Sequence, residues 1–233
     1  MLPQLTLIKR AALDLLFPQH CLGCGNEGEL ICRRCRNALP RIHPPLCPKC
    51  GKPQASGILC PACISWESSI DSIRSPFKFE GIIREAIHQY KYNNLRSLTG
   101  SFGLLLKDYW RKEPLPVDLV VPVPLHPRRL KERGYNQSAL LAVEFGKIFH
   151  LPVAPSALTR IKYVIPQAQT KSAAERRENL KQAFISRDVS LADKRVLLID
   201  DVSTSGATLD ACAEALKTAG SKSVLGLVLA REL

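Results

Sequence analysis

The densest chemistry in the chain lies near its carboxyl end, where Val196 to Thr208 reads Val-Leu-Leu-Ile-Asp-Asp-Val-Ser-Thr-Ser-Gly-Ala-Thr. Val196 to Ile199 is an apolar run of the kind buried on both faces of a sheet. Asp200 and Asp201 are expected just beyond the carboxyl end of that strand, where open α/β sheets place their ligands. Two neighbouring carboxylates there accept hydrogen bonds from vicinal hydroxyls. Thr204, Ser205, Gly206, Ala207 and Thr208 then bring hydroxyls and backbone N–H groups to the start of a helix, a setting that favours phosphate. Gly206 permits close approach. These residue types in this order ask for a sugar phosphate. A nucleotide triphosphatase is excluded as a reading, because no Gly-x4-Gly-Lys-Ser/Thr loop occurs in the chain.

A second chemistry sits at the amino end. Eight of the nine cysteines form Cys-x-x-Cys pairs: Cys21 with Cys24, Cys32 with Cys35, Cys47 with Cys50, and Cys60 with Cys63. Each pair is a half-site for tetrahedral zinc. Gly25 and Gly51 follow the first and third pairs, so the segment reads as one module repeated, Cys21–Cys35 and then Cys47–Cys63. Sequential pairing gives two ribbons of four thiolates each, and the spacing also admits a cross-brace of first with third and second with fourth. No secretory signal is expected, since Lys9, Arg10 and Asp14 interrupt the first apolar pattern. A reducing cytosol then favours metal over disulfide. Cys212, on an apolar helix face, reads as a buried structural thiol.

The elements that must position these groups follow from periodicity. Leu209, Cys212, Ala213 and Leu216 mark a helix ending at Gly220, with a last strand over Val224 to Ala230. Upstream, Gly81 to Tyr92, Ser97 to Trp110 and Asn136 to Phe149 read as helices and Val117 to Val123 as a buried strand; Lys171 to Gln182 is a charged helix or loop. Strands alternating with helices imply an α/β fold with a parallel sheet flanked by helices. With 233 residues there is room for a core of about 150 residues plus a small metal-stabilised unit. The expected division is an amphipathic helix over 1–16, a cysteine-rich unit over 17–68 and the α/β domain over 69–233. No apolar stretch approaches the roughly 20 residues of a membrane span. A further candidate for chemistry is the strand-end connection at 122–137, where Arg128, Arg129, Lys131 and Arg133 gather charge able to neutralise a leaving pyrophosphate.

Asp-Asp-x-x-Thr-Ser-Gly-x-Thr after an apolar strand resembles the phosphoribosyl pyrophosphate (PRPP) signature of type I phosphoribosyltransferases. The chain as a whole resembles the ComF/GntX family. That resemblance is carried by Val-Pro-Val-Pro-Leu-His-Pro-Arg-Arg-Leu with Arg-Gly-Tyr-Asn-Gln, by Phe-Lys-Phe-Glu-Gly…Lys-Tyr at 77–92, by Gln-x6-Arg-Arg-x-Asn-Leu at 169–180, and by the cysteine pairs. It implies a double zinc ribbon joined to a type I phosphoribosyltransferase-like domain and, for some members, a role in DNA uptake during natural transformation. It further implies that Asp200 and Asp201 hold the ribose hydroxyls and Ser203 to Thr208 the 5′-phosphate. The 122–137 connection, with Arg128, Arg129, Arg133, Asn136 and Gln137, would then take the pyrophosphate. Lys171 to Arg177 corresponds to a closing loop in which Lys171 or Arg176 meets the leaving group. Mg²⁺ is the implied partner of PRPP. Glutamine-dependent chemistry is not expected, because the chain starts Met1-Leu2 and its paired cysteines are committed to metal.

Net charge opens another class, a DNA-handling or regulatory protein that uses the PRPP fold as a catalytically weak or inactive ligand-sensing module. The balance of +12 is spread along the chain and suits nucleic-acid phosphate. Arg33, Arg34, Arg36, Lys49 and Lys52 beside the ribbons, with Trp66 as a stacking platform, are the expected groove for single-stranded DNA. Nearby cations also balance thiolate charge, which is the simpler use for them. Other DNA-uptake proteins are expected partners, and the expected location is cytoplasmic.

Overall fold

The computed structural model describes residues 19–163, 179–180 and 182–233. The helix expected over 1–16 and the segment holding Lys171 and Arg176 lie outside the described residues. In chain order the described elements open with two short helices, α1 (Arg33–Asn37) and α2 (Pro61–Ile64), each in the second half of one cysteine module. Strands β1 (Ser72–Arg74) and β2 (Phe77–Lys78) follow, then helices α3 (Gly81–Tyr92) and α4 (Leu98–Trp110). Strand β3 (Leu119–Pro122) leads into α5 (Pro127–Arg133) and α6 (Gln137–Phe149). After the small strands β4 (Thr159–Arg160) and β5 (Phe184–Ile185) come β6 (Arg195–Ser203), α7 (Ala207–Thr218) and β7 (Ser223–Arg231).

The strands make the parallel sheet that their alternation with helices predicts. The order is β1-β7-β6-β3, with β2 also on β7, and every pairing in it is parallel. Its foundation is a fork at the start of β6, where the Arg195 guanidinium grips both oxygens of Asp118 at 2.6 and 3.0 Å and fixes the entry to β3.

The side-chain alternation of a strand sorts the core into two layers. Leu197, Ile199, Leu227 and Leu229 point to one face, which is covered by α3, α4 and α6 through Ile83, Ile87, Phe102, Leu106, Leu141 and Phe145. Val196, Leu198, Val224 and Val228 point to the other, covered by Leu209, Cys212, Ala213 and Leu216 of α7. Each such fully buried aliphatic or aromatic side chain is worth about 1.5–3 kcal/mol over its exposed state. The cysteine modules divide between the layers. Cys21, Leu30, Ile31 and Cys35 join the first, and Cys47, Cys50, Cys60 and Cys63 join the second. The ribbons thus cap both faces of the sheet.

Two local expectations are corrected. The strand carrying the aspartates runs past Ile199 to Ser203, so Asp200 and Asp201 lie within β6 instead of beyond it. The reason is unequal neighbours: β3 ends opposite Ile199 at Pro122, whereas β7 pairs with β6 from Ser223 through to Arg231, opposite Ser203. The 122–137 connection is likewise no simple loop. Pro127 at the first helical position and His126, whose Nδ1 accepts the Arg128 N–H at 3.2 Å, start the short helix α5.

Candidate functional site

Ending β3 early leaves a notch at the carboxyl end of β6, and the acidic pair occupies it. Asp201 is 4% exposed. Its Oδ1 meets Lys91 Nζ at 2.6 Å, from the last turn of α3. Burial alone would lower the Lys91 pKa, but the charge of Asp201 holds it above its ordinary value. Asp200 Oδ1 accepts the Ser138 hydroxyl at 2.7 Å and the Asp201 N–H at 2.9 Å. Burial and then the charge of Asp201 push Asp200 up to about 7, against the pull of Lys91 and Ser138. Among the described residues Lys91 is the cation in direct contact with the two carboxylates, and their remaining oxygens can accept hydrogen bonds from hydroxyls.

Each partner is delivered by a clamp. Asn136 caps α6 by accepting the Ser138 N–H at 3.0 Å, while its Nδ2 donates to the Val123 carbonyl at 3.0 Å. Ser138 is thereby held against the end of β3. The Tyr135 hydroxyl donates to the Tyr90 carbonyl, which ties the same connection to the turn carrying Lys91. Asn136 therefore acts as a scaffold for the pair. Gln137 is 1% exposed, and its Nε2 has no partner among the described residues.

The phosphate loop follows at once. Ser203 closes β6 with its Oγ buried and without a partner among the described residues. Thr204 and Ser205 are half-buried, and Ser205 Oγ accepts the Ala207 N–H at 3.4 Å. Gly206 is the N-cap of α7 at φ +83, a conformation that glycine adopts without strain. Ala207 and Thr208 already belong to the helix, so the N–H groups of its first turn follow directly on the end of β6.

The basic helix α5 rests Arg128 and Arg133 on aromatic rings. Arg133 stacks 5.3 Å from the Tyr92 ring centroid and Arg128 lies 4.9 Å from that of Tyr163. Arg128 also meets Glu132 at 3.1 Å in an exposed pair. Arg129 is half-buried, and its charge acts with burial to lower the pKa of Arg160, whose charge Asp200 in part offsets. Lys91, Ser138 and Arg160 are the site residues that the sequence reading missed. The first two sit on helix faces that periodicity alone describes as ordinary surface or core.

The cysteines resolve into two sites. Cys21, Cys24, Cys32 and Cys35 form one group and Cys47, Cys50, Cys60 and Cys63 the other, each with sulphur atoms within 4.8 Å of one another. Pairing is therefore sequential, and the cross-brace is excluded. A tetrahedral ion with Zn–S bonds of about 2.3 Å needs ligand sulphurs about 3.8 Å apart. Cys24 and Cys32 are 3.7 Å apart, as are Cys50 and Cys60. The modules also repeat an amide-to-sulphur bond, Cys32 N–H to Cys21 at 3.4 Å and Cys60 N–H to Cys47 at 3.5 Å. Burial opposes ionisation of Cys21 and Cys47, but backbone N–H groups outweigh it and bring both thiols to about 6. Such donor sets fit zinc. Trp66, expected as an exposed stacking platform, is instead 5% exposed. Lys49 is drawn away from any groove as well, donating to the Trp66 carbonyl at 2.9 Å.

Fold and site together define a phosphoribosyltransferase-fold protein capped by a double zinc ribbon. The chain matches the double zinc ribbon domain family over residues 12–64 and the phosphoribosyl transferase domain family over 150–232. It is 30% identical over 199 residues to Competence protein ComFC of Bacillus subtilis, covering 82% of this chain and 80% of that one. It is also 30% identical over 228 residues to Competence protein F of Haemophilus influenzae, covering 92% of this chain and 98% of that one. DNA utilization protein YhgH of Escherichia coli K12 shares 29% identity over 218 residues, 91% of this chain and 94% of the relative. The chain belongs to the ComF family of competence proteins. No helix among the described residues is long and apolar enough to cross a membrane.

Proposed function

We propose that the chain binds PRPP in the notch of β6 and transfers its phosphoribosyl group, in the service of DNA uptake. The observation that supports this reading is the acidic pair, Asp200 half-buried and Asp201 buried, leading directly into the Gly206 turn and the first N–H groups of α7. The carboxylates would accept the ribose hydroxyls and stabilise positive charge developing at the anomeric carbon. Ser203 Oγ, Ser205 and the α7 amides would take the 5′-phosphate, and Arg129 and Arg133 the pyrophosphate. Lys91 satisfies Asp201, and Mg²⁺, if bound with PRPP, would supply charge neutralisation to the leaving pyrophosphate. Lys171 and Arg176 are proposed to close over it. The role in DNA uptake rests on the names of the ComFC and Competence protein F relatives, and a cytoplasmic location would suit thiolate zinc sites.

The test is release of pyrophosphate from labelled PRPP with Mg²⁺ across a panel of nitrogen acceptors. Asp200→Asn with Asp201→Asn should abolish PRPP binding and turnover while two zinc ions per chain are retained. Unchanged binding in that variant would remove the assignment.

A second reading is favoured by one observation. Tyr92 is 64% exposed, stacks 4.7 Å from His88 and lies under Arg133, which together offer an aromatic and cationic edge for single-stranded DNA. Tyr92→Ala should weaken oligonucleotide binding by about 1–3 kcal/mol. Equal DNA affinity in variant and parent would dismiss this edge.

A further inference from the structure

The two cysteine sites share a ligand set and differ in what surrounds them. The first packs on α3, where a side chain at Gly23 would strike Ile82 at 2.6 Å, and its Cys24 and Cys32 are half-exposed. The second is buried at all four cysteines and reaches the phosphate loop by three routes.

Lys49, between Cys47 and Cys50, gives its carbonyl to the Ile73 N–H at 2.7 Å and its ammonium to the Trp66 carbonyl at 2.9 Å. That ammonium also lies 5.7 Å from the Trp66 ring centroid. The indole presses on the phosphate turn, with its Cη2 only 3.0 Å from where a Cβ on Gly206 would stand. Just after Trp66, the N–H groups of Ser69 and Ile70 donate to Asp210 Oδ1 at 2.7 and 3.0 Å, in the first turn of α7.

The third route is Arg231. It is 1% exposed, and its Nε and Nη1 have no partner among the described residues. Its Nη1 stands 3.8 Å from where a Cβ on Gly51, the residue after Cys50, would be. A buried guanidinium needs an anion, and four thiolates around one Zn²⁺ carry a formal charge of −2. The next residue, Glu232, donates its N–H to the Ser203 carbonyl at 3.0 Å.

We infer that the second zinc site is a working part of the phosphate loop: zinc on Cys47, Cys50, Cys60 and Cys63 fixes Lys49, through which Trp66 positions Gly206, and Arg231, which adjoins the Glu232 link to Ser203. Trp66 is a positioning residue, and the first zinc site takes no part. The inference rests on the PRPP reading for its ligand and on the packing for its direction.

Coupling between two sites is reciprocal, typically by about 5–150-fold. In the full zinc-loaded chain, displacement of zinc by a mercurial reagent should therefore show two phases. PRPP with Mg²⁺ should slow the one belonging to Cys47–Cys63 by about fivefold or more and leave the other unchanged. Trp66→Ala should keep two zinc ions, bind PRPP more weakly by a similar factor and lose the protection, while Trp66→Phe restores both. Equal slowing of both phases, or of neither, would overturn the coupling, as would unaltered PRPP affinity in Trp66→Ala. A ligand-free arm separates this from the PRPP reading. Displacing zinc from the second site should speed amide exchange at Ser69, Ile70 and Asp210, and displacing it from the first should not. If wild type binds no PRPP but exchange responds in this way, the ligand assignment fails and the coupling stands; unchanged exchange sinks the coupling itself.

Discussion

Replacing Lys91 with Met isolates the electrostatics of the notch, because methionine keeps an unbranched stem and removes only the charge. Removing one member of a buried ion pair costs about 3–5 kcal/mol. The Lys91 side chain is 22% exposed and that of Asp201 6%, so water screens part of the loss and about 2–4 kcal/mol is expected at pH 8. That is smaller than the total stability of about 5–15 kcal/mol of an ordinary domain, so the variant folds. For a chain of this size the melting temperature should fall by about 5–15 °C. The loss must depend on pH. Asp200 is held up near about 7 by burial and by Asp201. An acid raised in the folded state contributes stability below its ordinary pKa and loses it as pH rises through the folded value. Lys91 pulls Asp200 down, so without it the pair holds a proton more firmly in acid and suffers more when both carboxylates ionise. Thermal melts at pH 5.5 and pH 8 should show less than half the deficit at the lower value. A fall of under about 2 °C at pH 8, or equal deficits at the two values, would refute the assignment of Lys91 as the counter-ion of the pair.

Asp118→Asn tests the entry to β6 and β3 in the opposite direction of pH. Hydrogen bonds from Arg195 hold the Asp118 carboxyl well below the usual range, so its contribution is present above about pH 4 and is lost as pH falls further. The variant should melt below the parent at pH 7, and the two should converge in strong acid; a constant gap would count against the fork. Gly51→Ala tests the turn of the second ribbon, where a Cβ would stand 2.5 Å from the Ile73 carbonyl oxygen at φ +71. The expected cost is about 1–3 kcal/mol, with faster zinc loss from the Cys47–Cys63 site, and a variant as stable as the parent would be inconsistent with that contact.

What the sequence made legible was local. The Cys-x-x-Cys spacing, the apolar run before Asp200, the Gly206 turn and the helical period of Gly81–Tyr92 each lie within about four turns of chain, and each is found where its pattern placed it. Sequential zinc pairing needed the distances between sulphurs, because spacing alone admits two arrangements. Residues brought together by packing were not legible. Lys91 shares its helix with Arg84, Glu85 and His88, which are exposed, and only the docking of α3 against the sheet turns one charge of that helix inward. Ser138 looked like the first turn of a core helix, and it reaches Asp200 across 62 residues of sequence. Trp66 misled for the same reason. An aromatic flanked by basic ribbons suggests a stacking platform, but the strand after it runs beside β7 and draws the indole onto Gly206.

The same logic bears on the division proposed at residues 68 and 69. Period-two alternation in β6 requires two apolar faces and therefore two covers, but nothing local says which segments supply them. Three helices suffice for most of one face, and α7 alone serves the other among the regular helices described, leaving Ile73 and Val121 to be covered by something else. The second ribbon and Trp66 fill that layer. A boundary drawn between motif blocks thus passes beside a packed layer to which the second ribbon and the α/β domain both contribute.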